Sequence, residues 1–286
     1  MRSAAWWLIF SYSSEEASNA LEGIHPTFKH VPPRVAYFSI MAVLNFYKYQ
    51  GCGNDFILLD RRNEYLPIQS NQIVALCDRR FGIGADGLME LINSNSHDFT
   101  MRYYNSDGNE SSFCGNGGRC IAQFAKDLGI VSGDSTNFLF KDLPYSAVFL
   151  SNGTISLQMK DVAEIATKEN DLFFDTGSPH YIRFRSDIEA MDLIHFARQI
   201  RYSEDFPAGI NVNAVEVINE YTIKMRTYER GVENEAYSCG TGVTAAAIAF
   251  HFSNLTQRNQ INIETKGGNF QVEFKEINGM YSDVKL

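Results

Sequence analysis

The chain runs to 286 residues, 44% of them hydrophobic, which suits a globular protein of two domains of roughly 100–150 residues each and excludes disorder as the default. A net charge of −9 with no basic patch argues against a nucleic-acid partner. Five cysteines, an odd number with no CxxC pair, fit a reducing, cytoplasmic compartment better than a disulfide framework, and Cys114 and Cys120 are too few and wrongly spaced for a zinc knuckle.

Residues 1–40 do not resemble the remainder of the chain. Ala4 to Phe10 is an apolar run after Arg2, but no clear small-residue cleavage site comes after it and Glu15 and Glu16 come early. The run is also shorter than the about 20 apolar residues a bilayer span needs, so no membrane partner is expected. Pro26, Pro32 and Pro33 break any regular element. Met41 opens a compact pattern and reads as the natural start. Residues 1–40 are then an N-terminal extension outside the fold, followed by halves at 41–162 and 163–286.

Val43 to Tyr49 alternates in strand fashion, and Gly51-Cys52-Gly53-Asn54-Asp55-Phe56 makes a turn before the strand Ile57-Leu58-Leu59. Asn54 either caps that turn or points its amide into a site. Gln72 to Arg80 reads as a helix with Ile73, Leu76 and Cys77 on its apolar face, which assigns Cys77 to the core. The glycine-rich loop Phe81-Gly82-Ile83-Gly84-Ala85-Asp86-Gly87 is weak alone, since no helix clearly follows it. Leu88 to Ile92 and Phe99 to Tyr104 form a hairpin leading to the loop that starts at Asn105.

Phe113-Cys114-Gly115-Asn116-Gly117-Gly118-Arg119-Cys120 sets a thiol where a glycine-rich turn hands over to a helix, with Ile121, Phe124, Ala125 and Leu128 at helical spacing. Free backbone N–H groups and the positive end of the helix dipole favour anions there, and such a thiol can be pulled well below the ordinary ~8.5. Strands around Phe138–Phe140, Ala147–Leu150 and Thr154–Met159 come next, with Asn152-Gly153 as a hairpin turn.

The second half opens at Leu172 to Ile182, where His180 follows a Ser178-Pro179 turn and would by itself read as a satisfied surface histidine. Asp187 to Arg198 reads as a helix and Phe206 to Asn213, including Asn211, as a strand. Tyr221 to Thr227 leads into Tyr228-Glu229-Arg230-Gly231, whose adjacent charges form either a solvated pair or a ligand contact. Tyr237-Ser238-Cys239-Gly240-Thr241-Gly242-Val243-Thr244 then repeats the cysteine, glycine turn and apolar helix. The offset is 124 between Met101 and Met225, 125 between the cysteines and 126 between the turns at Asn152 and Asn278. Such a steady register reads as internal duplication, each half presenting one cysteine at a helix start.

Two thiols opposed across a pseudo-twofold axis provide what stereoinversion needs: one removes an α-proton and the other delivers a proton to the opposite face. Helix-start amides would hold the substrate carboxylate and the charge developing beside it. No cofactor motif appears, neither a phosphate loop with its lysine nor a dinucleotide fingerprint, so no cofactor and no metal are expected.

From Val43 onward these motifs resemble the diaminopimelate epimerase family, carried by Gly53-Asn54-Asp55-Phe56, residues 81–87, Asn105-Ser106-Asp107-Gly108, residues 114–120, Gly177-Ser178-Pro179-His180, Tyr228-Glu229-Arg230-Gly231 and Cys239-Gly240-Thr241-Gly242. The resemblance implies an α/β (α+β) fold of two pseudo-symmetric domains, each a strongly curved, mostly antiparallel sheet wrapped around a central helix, with the active site between them. It further implies a cofactor-independent epimerase, usually a homodimer, that interconverts LL- and meso-diaminopimelate in lysine and peptidoglycan precursor synthesis. Cys114 would be the proton donor and Cys239 the acceptor from LL to meso, with His180 and Glu229 tuning the thiols. Gly115, Asn116, Gly240 and Thr241 would bind the reacting end through their amides. Asn54, Asn105, Asn211, Glu229 and Arg230 would read the substrate, Arg230 by bidentate contact with the distal carboxylate.

Two departures stand out. Many members carry Asn where this chain has Ser178, so that one contact to substrate is shortened or relayed through water, and others carry Gln where Gly87 stands. The nearest alternative is a proline racemase or hydroxyproline epimerase of the same fold, for whose cyclic substrate Glu229 and Arg230 would have less purpose. A thiol redox protein pairing Cys114 with Cys239 leaves the amide-rich loops unexplained, and a non-catalytic binding protein leaves two retained thiols unexplained.

Overall fold

The computed structural model describes residues 4–7, 43–63 and 67–286. Met41 and the three prolines before it lie outside the described residues. Ala4–Trp7, from the segment read as an extension, forms β1, which pairs antiparallel with β2 (Val43–Gly51) at the edge of the first sheet.

The first sheet runs in chain order from β1 through β2, β3 (Asn54–Asp60), β4 (Gly87–Ile92), β5 (Phe99–Asn105), β6 (Ser135–Phe140), β7 (Leu143–Phe149) and β8 (Ile155–Leu157). Two of its pairings are parallel, β3 with β4 and β5 with β6. A parallel neighbour demands a crossover. The first carries helix α1 (Ser70–Cys77) and the second α2 (Gly115–Asp127). Cys77 is buried among Ile73, Leu76 and Leu88, as core.

The second sheet repeats this scheme. It comprises β9 (Ala166–Lys168), β10 (Asp171–Asp175), β11 (Pro179–Phe184), β12 (Asn211–Asn219), β13 (Thr222–Glu229), β15 (Gln260–Thr265), β16 (Gly268–Ile277) and β17 (Met280–Lys285), with β14 (Asn234–Ala236) on β13. Its parallel pairs are β11 with β12 and β13 with β15. Their crossovers carry α3 (Leu193–Arg201) and α4 (Gly240–Phe252). The duplication read from the cysteine motifs is therefore a duplication of topology, and the fold is α+β in two pseudo-symmetric halves.

In each half the curved sheet closes around the second helix. Every residue of α4 from Gly240 to Phe250 is buried. Its Ala245-Ala246-Ala247-Ile248-Ala249 stretch has no polar side, which suits a helix enclosed all round. On α2 the predicted stripe Ile121, Phe124 and Ala125 is fully buried, while Arg119 and Gln123 are only partly covered. One apolar cluster includes both helices and both sheets. The C-terminal strand ties the halves together: Leu157 and Leu286 exchange backbone bonds of 2.8 Å, as do Val162 and Tyr281.

Two expected elements start later than the sequence pattern suggests. The helix read from Asp187 begins at Leu193, because Asp187 adopts a left-handed φ of 54° and Asp192 caps α3 by accepting from the His195 N–H at 3.0 Å. The strand read from Phe206 begins at Asn211, since Gly209, at φ 71°, closes a turn by donating to the Phe206 carbonyl at 2.7 Å.

Candidate active site

Cys114 and Cys239 are the N-cap residues of α2 and α4, both in extended backbone. The two helix starts abut. A Cβ on Gly240 would lie 2.9 Å from the Gly115 Cα, and one on Gly115 would lie 2.8 Å from a Leu286 methyl. Glycine at 240, and the close fit at 115, where a Cβ would lie 3.3 Å from the Gly240 Cα, let the two helix N-termini converge, which brings two sets of free N–H groups to one point.

A cleft of about 1110 Å³ opens there. Of the residues singled out in the sequence, Asn54, Asn105, Cys114, Gly115, Ser178, Asn211, Glu229, Arg230, Cys239, Gly240 and Thr241 line it. Asn116 and His180 do not reach its wall. The Asn116 side chain is fully buried, donating to Ser238 Oγ at 3.0 Å and accepting from Arg119 at 2.7 Å. His180 is also fully buried, so the reading of a surface histidine is corrected: its strand lies parallel to β12, beneath the start of α4.

The two thiols have different partners. Asn54 donates through Nδ2 to Asp86 at 2.8 Å, which leaves its Oδ1 to accept from the Cys114 thiol at 3.5 Å. Cys239 Sγ lies 3.4 Å from the Thr241 hydroxyl, which in turn lies 2.8 Å from His180 Nε2.

The expected depression of the Cys114 pKa is not found. Burial pushes its thiol up to about 11, with the negative charge of Glu229 adding, against the opposing N–H groups of Gly117 and Asn116. Cys239 is raised further, again by burial first and Glu229 second. Desolvation of the enclosed thiols outweighs the helix N-termini. Glu229 is itself pushed up to about 7 by burial and by Asp86.

Other polar groups of the cleft wall are held in fixed positions. Asn211 donates to Ser178 Oγ at 2.8 Å and to the Pro179 carbonyl at 3.0 Å, and accepts from the Arg230 N–H at 2.9 Å. The Arg230 guanidinium donates to the Ala208 carbonyl at 3.2 Å. The charge of its neighbour in sequence, Glu229, acts on both thiols.

Three cleft features escaped the sequence reading. Arg79 bridges Asp55 at 2.7 Å and Asp86 at 2.6 Å, and this trio fixes Asn54. No periodicity marks Asp86 within its glycine-rich loop. The Tyr103 ring occupies the space a side chain at 87 would need, since a Cβ on Gly87 would lie 2.6 Å from it. Tyr103 could have been found, because it stands two residues before Asn105 on one strand and so shares its face. Ser238 donates to the Cys52 carbonyl at 2.7 Å and joins the halves behind the cysteines.

Solved structures share this architecture. A PhzF-family phenazine biosynthesis protein of Bacillus anthracis superposes with a TM-score of 0.66 at 13% identity, covering 86% of this chain and 96% of that one. A hydroxyproline epimerase of Agrobacterium vitis superposes with a TM-score of 0.58 at 11% identity, covering 84% and 87%. At such identity the likeness speaks for the fold alone. Sequence relatives are nearer. The diaminopimelate epimerase of Flavobacterium psychrophilum is 46% identical over 245 residues, 85% of this chain and 95% of the relative. That of Aquifex aeolicus is 34% identical over 258 residues, 82% and 92%. The profile of the diaminopimelate epimerase family matches residues 46–167 and 172–285, so the two cysteine-capped halves are both within it, and the chain belongs to that family.

Proposed function

We propose that the chain interconverts LL- and meso-diaminopimelate by two-base proton transfer at the α-carbon. The observation that carries this reading is the meeting of two cysteine-capped helix N-termini, from two halves of one chain, in a single cleft. From LL to meso, Cys239 removes the α-proton and Cys114 protonates the opposite face; from meso to LL the roles reverse. The N–H groups of Gly115, Asn116, Gly240 and Thr241 hold the carboxylate beside the reacting carbon and stabilise the enolate-like charge as it forms. Asn54, Asn105, Ser178, Asn211, Glu229 and Arg230 read the rest of the substrate, Arg230 taking the distal carboxylate.

The raised thiols suit the chemistry. An α-proton is a very weak acid, and a thiolate whose conjugate acid titrates at about 11 is a stronger base than one depressed by its helix. The substrate ammonium, enclosed beside the sulfurs, supplies the positive charge that lets one of them ionise. His180 and Glu229 adjust that ionisation from either side. We place residues 41–162 and 163–286 as the two halves, residues 1–40 as an extension, and the enzyme in the cytoplasm as a homodimer.

The test is α-proton exchange in D₂O. Reduced protein with LL-diaminopimelate incorporates deuterium and yields the meso isomer, and Cys114→Ala and Cys239→Ala each abolish both. Turnover of proline or hydroxyproline instead would reassign the chain to the same-fold racemases.

A further inference from the structure

Behind Cys239 lies a buried chain of polar groups whose donor and acceptor directions can be read off one by one. Asn213 is fully buried and donates through Nδ2 to the Tyr181 carbonyl at 2.9 Å. A carbonyl only accepts, so this bond fixes which end of the amide carries the hydrogens. The Asn213 Oδ1 accepts from the Thr227 hydroxyl at 2.9 Å, in agreement. The second hydrogen of Nδ2 points at His180 Nδ1, 3.1 Å away, which must then be the unprotonated ring nitrogen. His180 therefore carries its proton on Nε2 and gives it to the Thr241 hydroxyl oxygen at 2.8 Å. With its oxygen occupied as an acceptor, Thr241 has its own hydrogen left for Cys239 Sγ at 3.4 Å. Gly242 packs against the chain: a Cβ there would lie 2.9 Å from Asn213 Oδ1 and 3.2 Å from His180 Cε1.

We infer that Asn213 is a positioning residue for the Cys239 half of the reaction: it locks His180 in the Nε2–H tautomer and so turns Thr241 into a hydrogen-bond donor aimed at the Cys239 sulfur. A donor stabilises a thiolate; Cys114, which accepts from the Gly117 N–H at 3.4 Å, also faces the acceptor oxygen of Asn54, and that contact favours the thiol. The pseudo-symmetric site is thereby asymmetric: the Thr241 hydroxyl offsets part of the burial that raises Cys239 above Cys114, and so favours its service as the base when the LL isomer arrives. The charged and titratable groups around this chain are Glu229 from β13 and Cys114 from α2, facing Cys239, and Asp175 and Arg230, facing His180. Burial keeps His180 neutral, down at about 3, so the chain works as oriented dipoles and adds no charge. This inference rests on the two-thiol reading above, and its test needs no substrate.

Iodoacetamide labelling of the reduced protein, followed by peptide mass spectrometry across a pH series, reads the ionisation of each cysteine separately. Thr241→Val keeps the shape and removes the donor; it is expected to slow Cys239 labelling about tenfold below its midpoint and leave Cys114 unmoved. Thr241→Ser should restore the wild-type profile. Asn213→Asp presents an acceptor to His180 Nδ1, flips the tautomer and should shift Cys239 in the same direction as Thr241→Val. In the wild type, ¹⁵N NMR of labelled histidine should report the Nε2–H tautomer at His180, a result that does not depend on any variant folding. Equal shifts at both cysteines, an unmoved Cys239 in Thr241→Val, or an Nδ1–H tautomer would each overturn the inference. Loss of epimerase activity on diaminopimelate with the labelling asymmetry intact would instead count against the proposed substrate alone.

Discussion

Glu229 in the cleft wall and His180 buried behind it respond to pH in opposite senses. Burial holds His180 at about 3, below its ordinary 6.5. Below pH 6.5 the unfolded chain gains a proton that the folded chain refuses, so the stability present above 6.5 is lost as pH falls toward 3. Glu229, pushed up from 4.5 to about 7, keeps its proton longer when folded. Its contribution is present below pH 4.5 and is lost as pH rises to 7. Glu229→Gln is therefore expected to remove that loss and to raise stability above pH 7 by on the order of 3 kcal/mol, while impairing catalysis; urea unfolding of the ligand-free protein on both sides of pH 7 checks it. The cysteine pair was legible in the sequence because duplication repeated it in register. Neither His180's burial nor the raised thiols were, since both follow from desolvation by residues distant in sequence.

At the scale of elements, the site depends on two helices starting against one another. Gly240→Ala would force a methyl to 2.9 Å from the Gly115 Cα, a backbone contact that no side-chain rotation relieves. It is expected to cost about 1–3 kcal/mol of stability and to lower deuterium exchange more than tenfold, through displacement of both N-termini. Gly133→Ala serves as the control, since nothing lies within 4 Å of a Cβ there, and should change stability by less than about 0.5 kcal/mol. A Gly240→Ala protein as active as wild type would mean that the helix starts need not touch. Of the core helices, α2 was legible from its apolar spacing and α4 from the unbroken apolar run after a repeated cysteine and glycine turn. The start of α3 was not, because Asp187 and Asp192 are equally good caps by residue type and only the packing of Ile188 and Leu193 beneath β12 chooses between them.

Across the whole molecule, the last strand makes two duplicated halves into one unit. Tyr281 is 1% exposed, packs edge-on against Phe274 and His251, lies 3.0 Å from His251 Nδ1 through its hydroxyl, and exchanges backbone bonds with Val162 of the other half. Tyr281→Phe is expected to cost about 1 kcal/mol and Tyr281→Ala about 3–5 kcal/mol. In both, urea unfolding followed by circular dichroism should remain a single transition, because one apolar cluster spans the halves; two resolved transitions in the wild type would refute that unity. What the sequence by itself determined is the repeat: two strand-rich halves, two buried helices and a cysteine at the head of each, all written in local periodicity and in turn residues. The tertiary structure alone decided which polar groups share the cleft and which lie behind it. Asp86, Tyr103, Ser238 and Asn213 acquire their partners only when strands distant in the chain become neighbours, and the acidity of each thiol depends on how much water that enclosure removes.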